Sequence, residues 1–134
     1  DVVVANINVK TNEPDVANPT AEFILKPGGD LVFVNFCPWG RVEHCVYGQF
    51  GRNYGGKAAL QAGEWPAPRY GRLIFYTPYP EYKTRYGFSK AEDVIFCKTW
   101  EQVLSLLSAH GPDTTAAVIS DATVGYFPEM TAWC

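Results

Sequence analysis

Four stretches of this chain, residues 2–5, 31–36, 73–76 and 116–119, are apolar or nearly so on consecutive positions instead of alternating with polar ones. A strand with water on one face alternates, so an unbroken apolar run asks for cover on both faces. The β-branched and aromatic content of these runs, and their shortness, favour strands over buried helix. Sheets covered on both faces are typically parallel, because each parallel connection lays a crossover across the sheet. Residues 93–97 (Asp-Val-Ile-Phe-Cys) form a fifth, shorter candidate, placed at a sheet edge.

The segments between the runs carry helix signals. Asn18-Pro19 reads as an N-cap followed by proline at the first helical position, and Lys26-Pro27-Gly28-Gly29 as a stop, with Phe23 and Ile24 turned toward the sheet. Thr99-x-x-Gln102 is a capping box. Behind it Trp100, Val103, Leu104 and Leu107 form an apolar stripe, ended by His110-Gly111-Pro112. His110 reads as a cation favoured by the end of the helix dipole. Strand, helix and strand in succession predict a single layered α/β domain over 1–134, with a mostly parallel sheet of four to five strands flanked by helices.

The 134 residues suffice for one core and are too few for two ordinary domains. A net charge of −3 without a basic run argues against nucleic acid as a partner. No apolar stretch approaches the roughly 18 residues of a membrane span, and no signal peptide opens the chain. Cys37, Cys45, Cys97 and Cys134 form no C-x-x-C pair, and two of them lie in or beside strand runs. Buried, reduced thiols in a cytoplasmic protein are the simplest reading, with a Cys37–Cys45 disulfide as the alternative. The chain opens directly in a strand-like run at Asp1-Val2-Val3-Val4, which suggests a domain excised from a longer protein.

Residues 37–71 break the pattern with seven glycines and aromatics at Trp39, Tyr47, Phe50, Tyr54, Trp65 and Tyr70. A loop of this length is usually functional, and here it reads as a lid or as a surface for a partner domain. Neither a G-x-x-x-x-G-K-[ST] nor a G-x-G-x-x-G motif is present. Gly55-Gly56-Lys57 fits a polar loop better than an anion nest. His44, beside Cys45 and seven residues after Cys37, lacks the paired spacing of a metal site, so no metal ligand is assigned. A nucleophilic Cys37 would need a base that the sequence does not show, and no catalytic residue is assigned either. Ligands of open α/β sheets sit beyond the carboxyl ends of the strands. Lys10, Asn12, Cys37, His44 and Asp121 fall there and are the candidate substrate- or cofactor-contacting residues. Asp121 serves a turn equally well.

Leu25-Lys26-Pro27-Gly28-Gly29, the run 31–36 and Cys37-x-x-Gly40-x-x-x-His44 together resemble the C-terminal domain of the nickel-pincer lactate racemase family. The opening Asp1-Val2-Val3-Val4, the helix 100–111, the strand after it and Tyr126-Phe127-Pro128 fit the same pattern. The resemblance implies a closing domain, inactive alone, of an isomerase acting on a 2-hydroxy acid. The nickel-pincer nucleotide and the catalytic histidines would belong to an N-terminal domain of the same protein. The chain departs from the family after its first strand. There it reads Lys10-Thr11-Asn12-Glu13-Pro14-Asp15-Val16-Ala17-Asn18, in place of the Tyr-Gln-x-x-Lys motif with which that family reaches its substrate. Two other readings compete: a stand-alone binding or interaction module, and the distal half of a methyltransferase-like fold, which shares the Leu-Lys-Pro-Gly-Gly-plus-strand pattern.

Overall fold

The computed structural model describes residues 1–11, 14–38, 67–81, 88, 93–125 and 127–128. Asn12, His44, Cys45, Gly55-Gly56-Lys57 and the aromatics of the 39–66 segment lie outside the described residues. Strand β1 (Val2–Asn6) is followed by short 3-10 turns at Asn8–Lys10 and Pro14–Ala17, and then by helix α1 (Asn18–Ile24). Next come β2 (Asp30–Val34), β3 (Arg72–Tyr76), β4 (Val94–Cys97), helix α2 (Trp100–Leu107) and β5 (Ala116–Ile119). The five strands form one sheet in the order β4-β3-β2-β1-β5. Every neighbouring pair is parallel.

The consecutive apolar runs are explained by a core on each face. Alternate strand residues Val3, Ala5, Leu31, Phe33, Leu73, Phe75 and Val94 join Ala17, Ala21 and Leu25 around α1. The intervening residues Val2, Val32, Ile74 and Cys97 pack on the opposite face with Val103 of α2, flanked by Trp100, Leu106 and Leu107. Because side chains alternate across a strand, two helices on two faces require apolar residues at every position. The chain steps from β1 to β4 in one direction and then crosses back to place β5 beyond β1. Right-handed crossovers running in opposite directions put their helices on opposite faces, and α1 and α2 are so placed.

The α1–β2 link is held by backbone geometry. Gly29 N–H donates to the Lys26 carbonyl at 2.9 Å, and Gly28 adopts φ +82°. This is a type II turn with proline second and glycine third, the conformation that disfavours any residue with a Cβ. Gly29 is constrained by space, since a Cβ there would lie 2.4 Å from the Asp1 carbonyl oxygen. That same oxygen accepts the Asp30 N–H that starts the β1–β2 ladder.

Several sequence expectations need correction. Ala17, not Asn18, occupies the N-cap of α1, and no side chain caps that helix. Asn18 is its first residue, its Nδ2 donating to Glu22 Oε1 one turn on. Ile24 packs against the core as expected, whereas Phe23 stacks on Phe127. The capping box of Thr99 and Gln102 is present with both of its hydrogen bonds. The stripe behind it is Trp100, Val103, Leu106 and Leu107, and Leu104 is 51% exposed. Strand β2 ends at Val34, leaving Asn35 and Phe36 beyond it. Strand β5 is not covered on both faces: it closes the sheet on one side, α2 packs over β3 and β4, and Val118 remains 78% exposed.

These packing differences predict unequal effects of truncation. Phe75 is buried against the rings of Phe33, Phe88 and Phe96. Phe75→Ala should therefore cost about 3–5 kcal/mol in a urea titration. Leu104→Ala should cost under about 1 kcal/mol, because its side chain already meets water.

Candidate ligand site at the carboxyl edge of the sheet

A parallel sheet delivers all its strand ends to one edge, and short polar bridges organise this one. Asn6 Oδ1 accepts from the backbone N–H of Asn8 at 3.0 Å and from its Nδ2 at 2.8 Å. Asn8 Oδ1 in turn accepts the Phe36 N–H at 2.8 Å, tying the end of β1 to the end of β2. On the other side the Ala122 N–H donates to the Asn6 carbonyl at 2.9 Å, fixing the turn after β5. Asp121 Oδ1 accepts from the backbone N–H of Thr123 at 2.9 Å and from its hydroxyl at 2.7 Å. That is an Asx turn.

A small cleft opens at the same edge, with an interior of about 10 Å³, room for about one water. The described residues lining it are Thr11, Asn35, Cys37, Phe75, Thr77, Tyr79, Glu81 and Phe96. Asn35 is 6% exposed. Its Nδ2 donates to the Thr11 carbonyl at 3.1 Å, which fixes which way the amide faces. Its Oδ1 is buried without a hydrogen-bond partner. A buried amide oxygen left unpaired costs about 1–3 kcal/mol. Thr77 is also buried, and its Oγ1 accepts the Tyr79 N–H at 3.1 Å.

Of the candidates drawn from sequence, Cys37 lines this cleft, buried and in no disulfide. Lys10 closes the first 3-10 turn, exposed at the same edge of the sheet. Asp121 follows β5 and serves its own turn. Neither Lys10 nor Asp121 is among the described residues lining the cleft. Asn12 and His44 lie outside the described residues. Sequence reasoning missed Asn35 and Thr77. Both are the first polar residue after a buried parallel strand, and that position was the available signal.

The opposite, amino edge holds a charge cluster. Buried Asp30 accepts from Arg72 Nε at 2.7 Å, from Arg72 Nη2, and from His110 Nε2 at 2.7 Å. Arg72 Nη2 also donates to the Leu106 carbonyl at 3.1 Å. His110 is thus a partner of Asp30 rather than an isolated cation at a helix end. The cluster staples the end of α2 to β2 and β3. Burial alone would raise the Asp30 pKa, but the hydrogen bonds and charges of Arg72 and His110 outweigh it and hold the carboxyl below its ordinary value. On β4, burial pushes the Cys97 thiol up, as expected of an unreactive buried thiol.

Among the described residues no group of three or more His, Cys, Asp or Glu could hold a metal ion. Nor is any described helix long and apolar enough to cross a membrane. Compared with known proteins, the chain matches no family model, no curated protein and no solved structure.

Because the Asp30 pKa is depressed on folding, its contribution is full above the ordinary value of 3.8 and is lost as pH falls through the folded value. Asp30→Asn should therefore destabilise the protein by about 1–3 kcal/mol at pH 7. The gap between variant and wild type should close in urea titrations taken from pH 5 down to pH 2.

Proposed function

We propose that this chain is a ligand-binding α/β domain that takes a small polar molecule at the carboxyl edge of its sheet, as the closing part of a racemase-like enzyme. The observation that carries the ligand-binding half is the cleft lined by Asn35, a buried residue whose Oδ1 has no hydrogen-bond partner. It lies on the edge where open α/β domains hold their ligands. Lys10, Cys37 and Asp121 follow the carboxyl ends of β1, β2 and β5, within reach of a ligand that spans that edge.

The racemase-like half rests on the resemblance carried by residues 25–44 and by the two ends of the chain. The resemblance assigns the pincer cofactor to an N-terminal domain of the same protein. The role of this chain is then to bind, orient and exclude water, and the substrate class implied is a 2-hydroxy acid. Cys37 and Cys97, buried and in no disulfide, fit a reducing, cytoplasmic setting.

Two measurements test the reading. In a ligand screen followed by amide chemical shifts, hits should perturb residues 6–11, 35–38, 77–81 and 120–123. Perturbation centred instead on Asp30, Arg72 and His110 would move the site to the other edge and defeat the assignment. The isolated chain should neither interconvert D- and L-lactate nor retain stoichiometric nickel after dialysis against a weak chelator. Turnover by the isolated chain would contradict the closing-domain role.

A further inference from the structure

We infer that the outer strand β5 pairs with β5 of a second copy of this chain, antiparallel about a two-fold axis at Val118, so that the sheet continues from one copy into the other. The inference is independent of the ligand reading, because β5 contributes nothing to the described lining of the cleft. Val2 N–H donates to the Thr115 carbonyl at 3.1 Å, and Val4 stands opposite Val118 in the parallel register. Alternate residues of a parallel strand bond to a given neighbour, so Thr115, Ala117 and Ile119 serve β1. Ala116 and Val118 turn their backbone N–H and C=O groups outward, where no described strand meets them.

Outer strands are normally guarded by a charge, a proline or a bulge. β5 reads Ala-Ala-Val-Ile and keeps an unbroken register with β1. Its side chains are open as well, with Ala116 exposed and Val118 exposed at 78%. On the other side of the sheet, β4 is buried or half-buried and is flanked by Asp93 and Lys98.

A second copy suits this strand because the strand complements itself. With Val118 opposite Val118 of the second copy, the outward N–H and C=O of each satisfy those of the other. Val118 then lies between Val4 of its own chain and Val118 of the second copy. On the opposite face Ala117 meets Ile119 of the second copy. Charge selects this register. Continued outward, it sets Asp121 against Thr115 and Asp113 against Thr123 of the second copy. Centring on Ala117 instead sets Asp121 against Asp113, and like charges directly opposite one another destabilise a pair.

Sedimentation velocity of the chain in reducing buffer, from about 10 µM to about 1 mM, should show a reversible monomer–dimer equilibrium, because so short a pairing makes a small, weak interface. Val118→Lys should weaken the dimer about tenfold or more, since lysine on an outer strand opposes pairing. Val118 is exposed in the single chain, so this variant should keep the wild-type urea midpoint. In a mixture of labelled and unlabelled chains, an isotope-filtered NOE should join Ala117 Hα to Ile119 Hα of the other copy. A monomer throughout the concentration range would overturn the inference. So would a dimer that Val118→Lys leaves intact, or one whose intermolecular NOEs lie away from residues 115–121.

Discussion

β1 is hydrogen-bonded in parallel on both sides, to β2 with Val2 opposite Asp30 and to β5 with Val2 opposite Ala116. The rest of the molecule depends on that double pairing. The β1–β2 side sends the chain through α1 along one face. The β1–β5 side can be reached only by a return crossing, which passes through α2 on the other face. The reversal therefore falls between β1 and β5, and the loops that leave their carboxyl ends diverge there. The cleft lies to one side of that divergence, over the carboxyl ends of β2, β3 and β4.

The two edges of the sheet are built for different ends. At the amino edge Asp30 is bonded to Arg72 and His110, and the cluster binds helix to sheet. At the carboxyl edge the bridges through Asn6, Asn8 and Asp121 shape the loops, while the Asn35 oxygen is left unmatched. Buried polar groups are nearly always paired, and exceptions concentrate where function asks for them. The contrast between the Asp30 cluster and the Asn35 oxygen is the physical ground for proposing a ligand at the carboxyl edge.

Much of this fold was legible in the sequence, because unbroken apolar runs leave few arrangements other than a sheet covered on both faces. The capping box of Thr99 and Gln102 was equally plain, since it depends on local spacing alone. What depends on tertiary placement was not. Leu106 replaced Leu104 in the helix stripe because the angle at which α2 lies on β3 and β4 decides which flank is covered. Val118 looked like a core residue and is exposed, because no local signal tells an edge strand from a central one. His110 and Asp30 are eighty residues apart in the chain, so their pairing had no sequence signature. For the candidate site, Cys37 was found as the residue after a strand. Asn35 was hidden inside what read as the strand itself, and its open oxygen is a property of packing.

The strand order that brings these ends to one edge is the claim on which the account stands, and interstrand NOEs test it directly. Amide-to-Hα contacts should link residues 2–5 in parallel register to 30–33 on one side and to 116–119 on the other. Contacts placing 116–119 beside 94–97, or running antiparallel to β1, would contradict it. They would remove the reversal between β1 and β5, and with it the strand order on which the fold rests.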